Sequence, residues 1–275
     1  MEPVADAIVG GVSLRATRLS DVDLRLVGLL DEAERRMAAG FSSVQRDRFL
    51  SSRILLRLHA ARLAGVTRGS LRADYYCPTC TTQGNKVHGI PRYKVPRQGS
   101  GIRLSLSRAE DWCLLAGSAE SNIIRLGIDV QEMSSTDFDG FGTVALTSVE
   151  RDLAWRMAPS MRLAFMAQLW VRKEAVLKAL GCGLMMEPST VDVSGRAPVI
   201  RGQAMTPEDW LITDVHPAAV GLPGKYVAAL ALLRAPTSNG VIKRGSKPQD
   251  SPKVHITQSS TGPNGPHTGR PPCTN

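Results

Sequence analysis

Trp170-Val171-Arg172-Lys173-Glu174-Ala175-Val176-Leu177-Lys178 is the stretch that decides how this chain reads. Positions four apart on a helix are neighbours, so Trp170, Glu174 and Lys178 share one stripe. Leu163, Phe165, Met166, Leu169, Val171, Val176, Leu177 and Leu180 cover much of the rest, which predicts a long helix with little surface left for solvent. A Glu four residues before a Lys is also the favourable order for a plain helix-stabilising ion pair, worth about 0.2–0.5 kcal/mol. The alternative is functional, because a carboxylate and an amine on a largely buried helix need partners.

A partner for that helix is predicted from Ile123 to Gln131, Ile-Ile-Arg-Leu-Gly-Ile-Asp-Val-Gln, which is rich in branched apolar residues and reads as a strand. Alternation sends Ile128 and Val130 to one face and Asp129 and Gln131 to the other. If the strand packs beside the helix, Asp129 and Glu174 converge on one hard cation and Gln131 adds a neutral amide oxygen. Mg²⁺ held by one or two carboxylates plus a substrate's phosphates is a common arrangement. An Asp ending a strand is also an ordinary turn residue, and only its pairing with Glu174 singles it out.

Outward from this pair, the pattern predicts helices over residues 22–37 and Ser43–Leu63, the latter closed by Gly65. Turn signals crowd residues 66–100. Short strands are expected at Arg103–Ser107 and Trp112–Gly117. Thr147-Ser148-Val149-Glu150 is a capping box that starts a helix. The long helix should end near Gly181 and Gly183, followed by strands over Ser189–Ser194, Trp210–Val215 and Tyr226–Leu233. Small antiparallel sheets with long helices make an α+β fold. Residues 236–275 hold seven of the 17 prolines and no aromatic residue, and they read as a disordered basic tail carrying Lys243, Arg244, Lys247 and Lys253.

The 275 residues, 43% of them apolar, suffice for a sizeable core. A formal net charge of +9 favours anionic partners such as a nucleotide or an acidic protein. No aromatic-interleaved basic platform or zinc-finger spacing supports a nucleic-acid partner. No apolar run reaches 18 residues and residues 4–12 lack a signal-peptide pattern, so a cytoplasmic monomer is expected, with no membrane partner. The five cysteines (77, 80, 113, 182 and 273) are an odd set that argues against a disulfide framework. Cys77-Pro78-Thr79-Cys80 with His88 looks like half a zinc site, with a structural loop as the alternative.

These features together resemble the 4′-phosphopantetheinyl transferases, of the two-lobed, surfactin-synthetase-activating bacterial type. The resemblance rests on Gly127-Ile128-Asp129, on Trp170-x-x-Lys173-Glu174-Ala175-x-x-Lys178, and on Ser105-Leu106-Ser107 followed by Trp112. Arg48-Phe49 with Arg53, and Gly89-x-Pro91, fall in the family's order. It implies two pseudo-two-fold related lobes, residues 1–118 with a coenzyme A-binding wall and residues 119–235 with the metal and catalytic helix. It implies transfer of the phosphopantetheine arm of coenzyme A to a serine of an apo acyl or peptidyl carrier protein, releasing 3′,5′-ADP. By the same resemblance Asp129, Gln131 and Glu174 hold Mg²⁺, or Mn²⁺, and Glu174 and Lys178 are catalytic. Arg53, Ser107, Arg108, Lys173 and Lys178 contact coenzyme A, with Trp170 supporting the same wall.

Three positions depart from the family pattern. Gln131 stands where Asp-x-Glu is usual, Ile90 where Gly-Lys-Pro is usual, and Ser107-Arg108-Ala109-Glu110 where Ser-His-Ser-Gly is common. A neutral amide should hold Mg²⁺ less tightly than a carboxylate, and Glu132 would face the other side of the strand. Arginine at 108 keeps a phosphate-binding group. The alternative reading is therefore a weakly active or inactive relative that grips coenzyme A or a carrier domain.

Overall fold

The computed structural model describes residues 6–77, 89–96, 101–206 and 209–236, so Cys80, His88 and nearly all of the expected tail lie outside the described residues. In chain order the elements are β1 (Ala7–Val9), β2 (Val12–Arg18), α1 (Glu32–Ala39), α2 (Ser43–Ala64), β3 (Arg72–Ala73), β4 (Tyr93–Lys94), β5 (Arg103–Ala109), β6 (Trp112–Ser118) and β7 (Ile123–Glu132). Then follow α3 (Phe141–Ala145), α4 (Ser148–Arg156), α5 (Pro159–Leu180), β8 (Val191–Asp192), β9 (Val199–Ile200), β10 (Gln203–Ala204), β11 (Trp210–Val215) and β12 (Tyr226–Arg234).

Two antiparallel sheets carry the architecture, one ordered β1-β2-β6-β5 and the other β11-β12-β7. Their inner faces pack on each other through Leu14, Leu114 and Ala116 on one side and Ile128, Val130, Ala228 and Leu230 on the other. The outer face of the first sheet, with Leu104, Cys113 and Leu115, is covered by Leu56, Ala60 and Ala64 of α2. The outer face of the second, with Val227, Ala229 and Ala231, is covered by Ala175, Val176 and Ala179 of α5. Period-2 strands thus bury both faces, and each 22-residue helix buries one side on its own sheet.

The edge strands β5 and β7 meet without a shared backbone ladder. The Ile128 N–H donates to the Ser105 hydroxyl at 3.1 Å and the Ser107 hydroxyl donates to Asp129 at 2.6 Å. The Ser105 hydroxyl thus satisfies one backbone group of the β7 edge, and Ser107 adds a side-chain bond across the seam.

The expected alternation of β7 is borne out, with Ile128 and Val130 in the inter-sheet core. The strands at 210–215 and 226–234, the helix over 43–64 and the Thr147 capping box also match, and α5 stops at Gly181, whose φ is +75°. The helix expected over 22–37 is instead two elements. A 3-10 helix spans Leu24–Leu29, Leu30 is extended, and α1 begins anew where Glu34 accepts the Asp31 N–H at 3.0 Å. That local capping pair outcompetes a continuous helix because Asp31 and Glu34 are also needed by Arg57. The strand expected over 189–194 shrinks to Val191–Asp192, since the carbonyls of Pro188 and Val191 are taken by Lys173. No described helix is long and apolar enough to cross a membrane.

Gly127 sets the distance between β7 and α5. A Cβ there would lie 1.9 Å from the Ala175 carbonyl oxygen and 2.6 Å from the Ala179 nitrogen, so the helix backbone rests directly on the strand. Gly127→Ala should cost about 3 kcal/mol or more, since backbone rather than a flexible side chain must move, and urea denaturation measures the loss.

Candidate active site

The close approach at Gly127 presses one turn of α5 against the same face of β7 that bears Asp129. Asp129 is 1% exposed, and its Oδ1 accepts hydrogen bonds from Ser107 Oγ at 2.6 Å and from Lys178 Nζ at 2.6 Å. Lys178 thus pairs with a strand carboxylate rather than with Glu174 one helical turn before it. Asp129 Oδ2 and Glu174 Oε1 are both buried with no hydrogen-bond partner among the described residues. Two such oxygens in one place are costly unless something else satisfies them. Burial pushes the Glu174 carboxyl up to about 7, the Asp129 charge adds to the rise, and Lys178 opposes it.

Gln131 lies two residues along β7, on the face that carries Asp129. With Trp170, Phe138, Phe141 and Pro188 it lines a cleft of about 370 Å³. Trp170 packs edge-on against Phe141 with ring centroids 5.9 Å apart, which fixes this wall one turn from Glu174. The donor set is two carboxylates and an amide, all hard oxygen, and its unpartnered oxygens fit a hard divalent cation. Among the described residues no group of three or more His, Cys, Asp or Glu is placed to hold a metal. An ion here would complete its shell with water or with oxygens of a bound ligand.

Cationic side chains border the acid pair on the α2 side. Arg53 is 5% exposed, and its guanidinium lies 4.5 Å from the Tyr75 ring centroid and 4.9 Å from that of Phe49. Burial lowers the Arg108 pKa; the Cys113 side chain opposes that change, while the charges of Arg53 and Arg48 add to it. The Cys113 thiol, pushed up to about 12 by burial, feels Arg108, Lys178 and Arg53 pulling the other way. Arg48, Arg53, Arg108 and Lys178 therefore share one electrostatic neighbourhood, the arrangement that suits a polyanionic ligand.

Of the residues singled out in the sequence, the structure brings together Asp129, Glu174, Lys178 and Ser107, with Gln131, Arg53 and Arg108 at their border. Ser107 spends its hydroxyl on Asp129. Lys173 lies elsewhere: fully buried, it pairs with Glu150 at 2.6 Å and donates to the carbonyls of Pro188, at 2.9 Å, and Val191. Cys77 is buried, while Cys80 and His88 lie outside the described residues. Ile90 uses its backbone in a bridge with Tyr76, and Arg92 stacks over the Tyr76 ring at 4.5 Å. Sequence reasoning missed Tyr75, which flanks Arg53 and donates to Glu34 at 3.0 Å, and Glu34, which also binds Arg57 at 3.1 Å. No local pattern marks either, because their partners are remote in the chain.

Residues 125–231, from β7 through α5 to β12, match the family model described as the 4′-phosphopantetheinyl transferase superfamily. That segment, less than half of the chain, resembles the 4′-phosphopantetheinyl transferase superfamily. It contains Asp129, Gln131, Glu174 and Lys178, so the acid pair lies wholly within the superfamily match. A holo-(acyl-carrier-protein) synthase from Bacillus anthracis str. Ames, solved in complex with CoA (3′,5′-ADP), is similar at 24% identity over 42% of this chain and 98% of that one, with a TM-score of 0.33. The Thermotoga maritima holo-[acyl-carrier-protein] synthase is similar at 26% identity over 41% of this chain and 64% of that one, with a TM-score of 0.30. Comparison with curated proteins gave no match.

Two measurements check the placement of these charges. Lys173→Met leaves Glu150 buried without its cation, so stability should fall by about 3–5 kcal/mol in denaturant while affinity for a polyanion is unchanged. Glu174 holds a proton between pH 4.5 and about 7 that the unfolded chain has lost, so stability falls as pH rises through that window. Glu174→Gln should then be more stable than the parent at pH 8, by on the order of 1–3 kcal/mol, and equal to it at pH 4, as measured by denaturation in EDTA.

Proposed function

We propose that this chain transfers the 4′-phosphopantetheine arm of coenzyme A to a serine hydroxyl of an apo acyl or peptidyl carrier protein, releasing 3′,5′-ADP. The observation that carries this reading is the buried Asp129–Glu174 pair inside the superfamily match, with Lys178 on Asp129 and two oxygens left without a partner among the described residues. Such a site can position a diphosphate and neutralise its charge, which is most of what phosphoryl transfer asks of a protein. In the reaction the serine oxygen forms a bond to the phosphorus that carries the pantetheine arm. The bond from that phosphorus to the bridging oxygen breaks, and 3′,5′-ADP leaves with the electron pair.

Glu174 is suited to accept the serine proton, directly or through a water, because a carboxyl held near 7 changes state at neutral pH. A hydrogen bond from Ser107 orients the Asp129 carboxylate. Lys178, Arg53 and Arg108 supply the positive field for the phosphates, and Trp170 lines the adjoining cleft wall. Asp129, Gln131 and Glu174 would hold Mg²⁺, or Mn²⁺, which when bound supplies further charge neutralisation at the diphosphate. We read residues 1–118 and 119–235 as two related lobes with the coenzyme across the β5–β7 seam, a reading supported by the antiparallel sheet and 22-residue helix in each half.

Transfer of label from coenzyme A to a purified apo carrier protein with Mg²⁺ tests the proposal. The parent should transfer, and Asp129→Ala and Glu174→Ala should each lose on the order of 100-fold or more in rate while keeping a cooperative unfolding transition. Unaltered rates in both variants would overturn the site. A parent that binds coenzyme A tightly but transfers nothing would favour the binding-protein reading, with Gln131 and Ile90 as its cause.

A further inference from the structure

Lys178 reaches the acid pair from its rim. The last turn of α5 carries it, its side chain is 24% exposed while that of Asp129 is 1% exposed, and its ammonium lies 2.6 Å from Asp129 Oδ1. A flexible four-carbon stem lets that head group move toward solvent without unpacking the helix. Lys173, five residues earlier on the same helix, has no such freedom, since Glu150 and two carbonyls enclose it.

The charges around Asp129 make the position of Lys178 consequential. With both carboxylates ionised, Asp129 and Glu174 carry two negative charges, Lys178 returns one positive charge, and Gln131 contributes none. A divalent cation entering beside Asp129 Oδ2 and Glu174 Oε1 therefore meets the ammonium at short range, in surroundings that screen poorly. An anion with closely spaced phosphates does the opposite. Settling among Arg48, Arg53 and Arg108, it would offer the ammonium a stronger partner and leave the carboxylates to a metal.

The geometry points to Lys178 as an exchangeable counter-ion: its ammonium holds Asp129 until a diphosphate draws it away, and only then does the carboxylate pair bind a divalent metal strongly. The inference rests on the coenzyme A reading and extends it, by making metal and diphosphate binding mutually dependent. Reciprocity follows, because whatever factor coenzyme A adds to metal affinity the metal must add to coenzyme A affinity. Gln131 strengthens the dependence, since a carboxylate there would offset the ammonium and let metal bind alone.

Calorimetric titration of Mg²⁺ into the full chain, without carrier protein and with or without saturating coenzyme A, tests this. In the parent, coenzyme A should tighten Mg²⁺ binding by about tenfold or more. Lys178→Met keeps the stem and removes the charge, and it should bind Mg²⁺ alone about tenfold more tightly than the parent, with a smaller gain on adding coenzyme A. Lys178→Arg, which keeps the charge, should behave as the parent does. If Lys178→Met loses its cooperative unfolding transition, Lys178→Gln replaces it in the same titration, since its amide can still donate to Asp129. Mg²⁺ affinity no tighter in the neutral variant than in the parent overturns the inference, even where coenzyme A binds both proteins. Failure of the parent to bind coenzyme A at all overturns the underlying functional reading instead.

Discussion

The backbone of α5 rests on β7 at Gly127, where there is room for a hydrogen and nothing larger. Because Gly127 and Asp129 share a face of the strand, that approach also lays the Glu174–Lys178 turn of the helix over Asp129. A bulkier residue at 127 would lift the helix and separate the two carboxylates. The acid pair thus depends on a packing contact made by neither of its members. The raised Glu174 pKa follows from the same contact, as burial and the nearby Asp129 charge both penalise its ionised form.

Two lysines five positions apart on α5 show how one helix serves stability and chemistry at once. Lys173 turns inward to Glu150, and that carboxylate also takes the backbone N–H groups of Thr147 and Val193, so a buried ion pair is saturated with hydrogen bonds and ties α4, α5 and β8 together. Lys178 turns to the seam between the sheets and meets a carboxylate that keeps one oxygen unsatisfied. The first arrangement has no capacity left for a ligand. The second does, and it lies beside the arginines.

The N-terminal half holds those arginines through a framework of its own. Arg57 bridges Asp31 and Glu34, Glu34 accepts the Tyr75 hydroxyl, and Tyr75 with Phe49 flanks Arg53. A guanidinium against aromatic faces is restrained in direction. The capping pair of α1 is therefore connected, through Tyr75, to the cationic border of the site. This link explains why the segment 22–37 divides at Leu30, where an uninterrupted helix would carry Asp31 and Glu34 away from Arg57.

The sequence by itself determined the strand at 123–131, the face shared by Asp129 and Gln131, the long helix with Glu174 and Lys178 on one stripe, and the ends of both long helices at Gly65 and Gly181. All of these follow from periods of 2 and 3.6 residues and from local cap chemistry, which are written in consecutive residues. Only the tertiary structure decided which charge meets which. Within the helix, Lys178 has Glu174 as its natural partner, yet it binds Asp129, 49 residues away, and Lys173 binds Glu150 across α4. The division of the first expected helix, the loss of most of the strand at 189–194 and the use of Ser105 and Ser107 to close the β5–β7 seam have the same origin. Each is set by a buried polar group that must find a partner, and which partner is within reach depends on how helices and sheets pack, not on neighbouring residues in the chain.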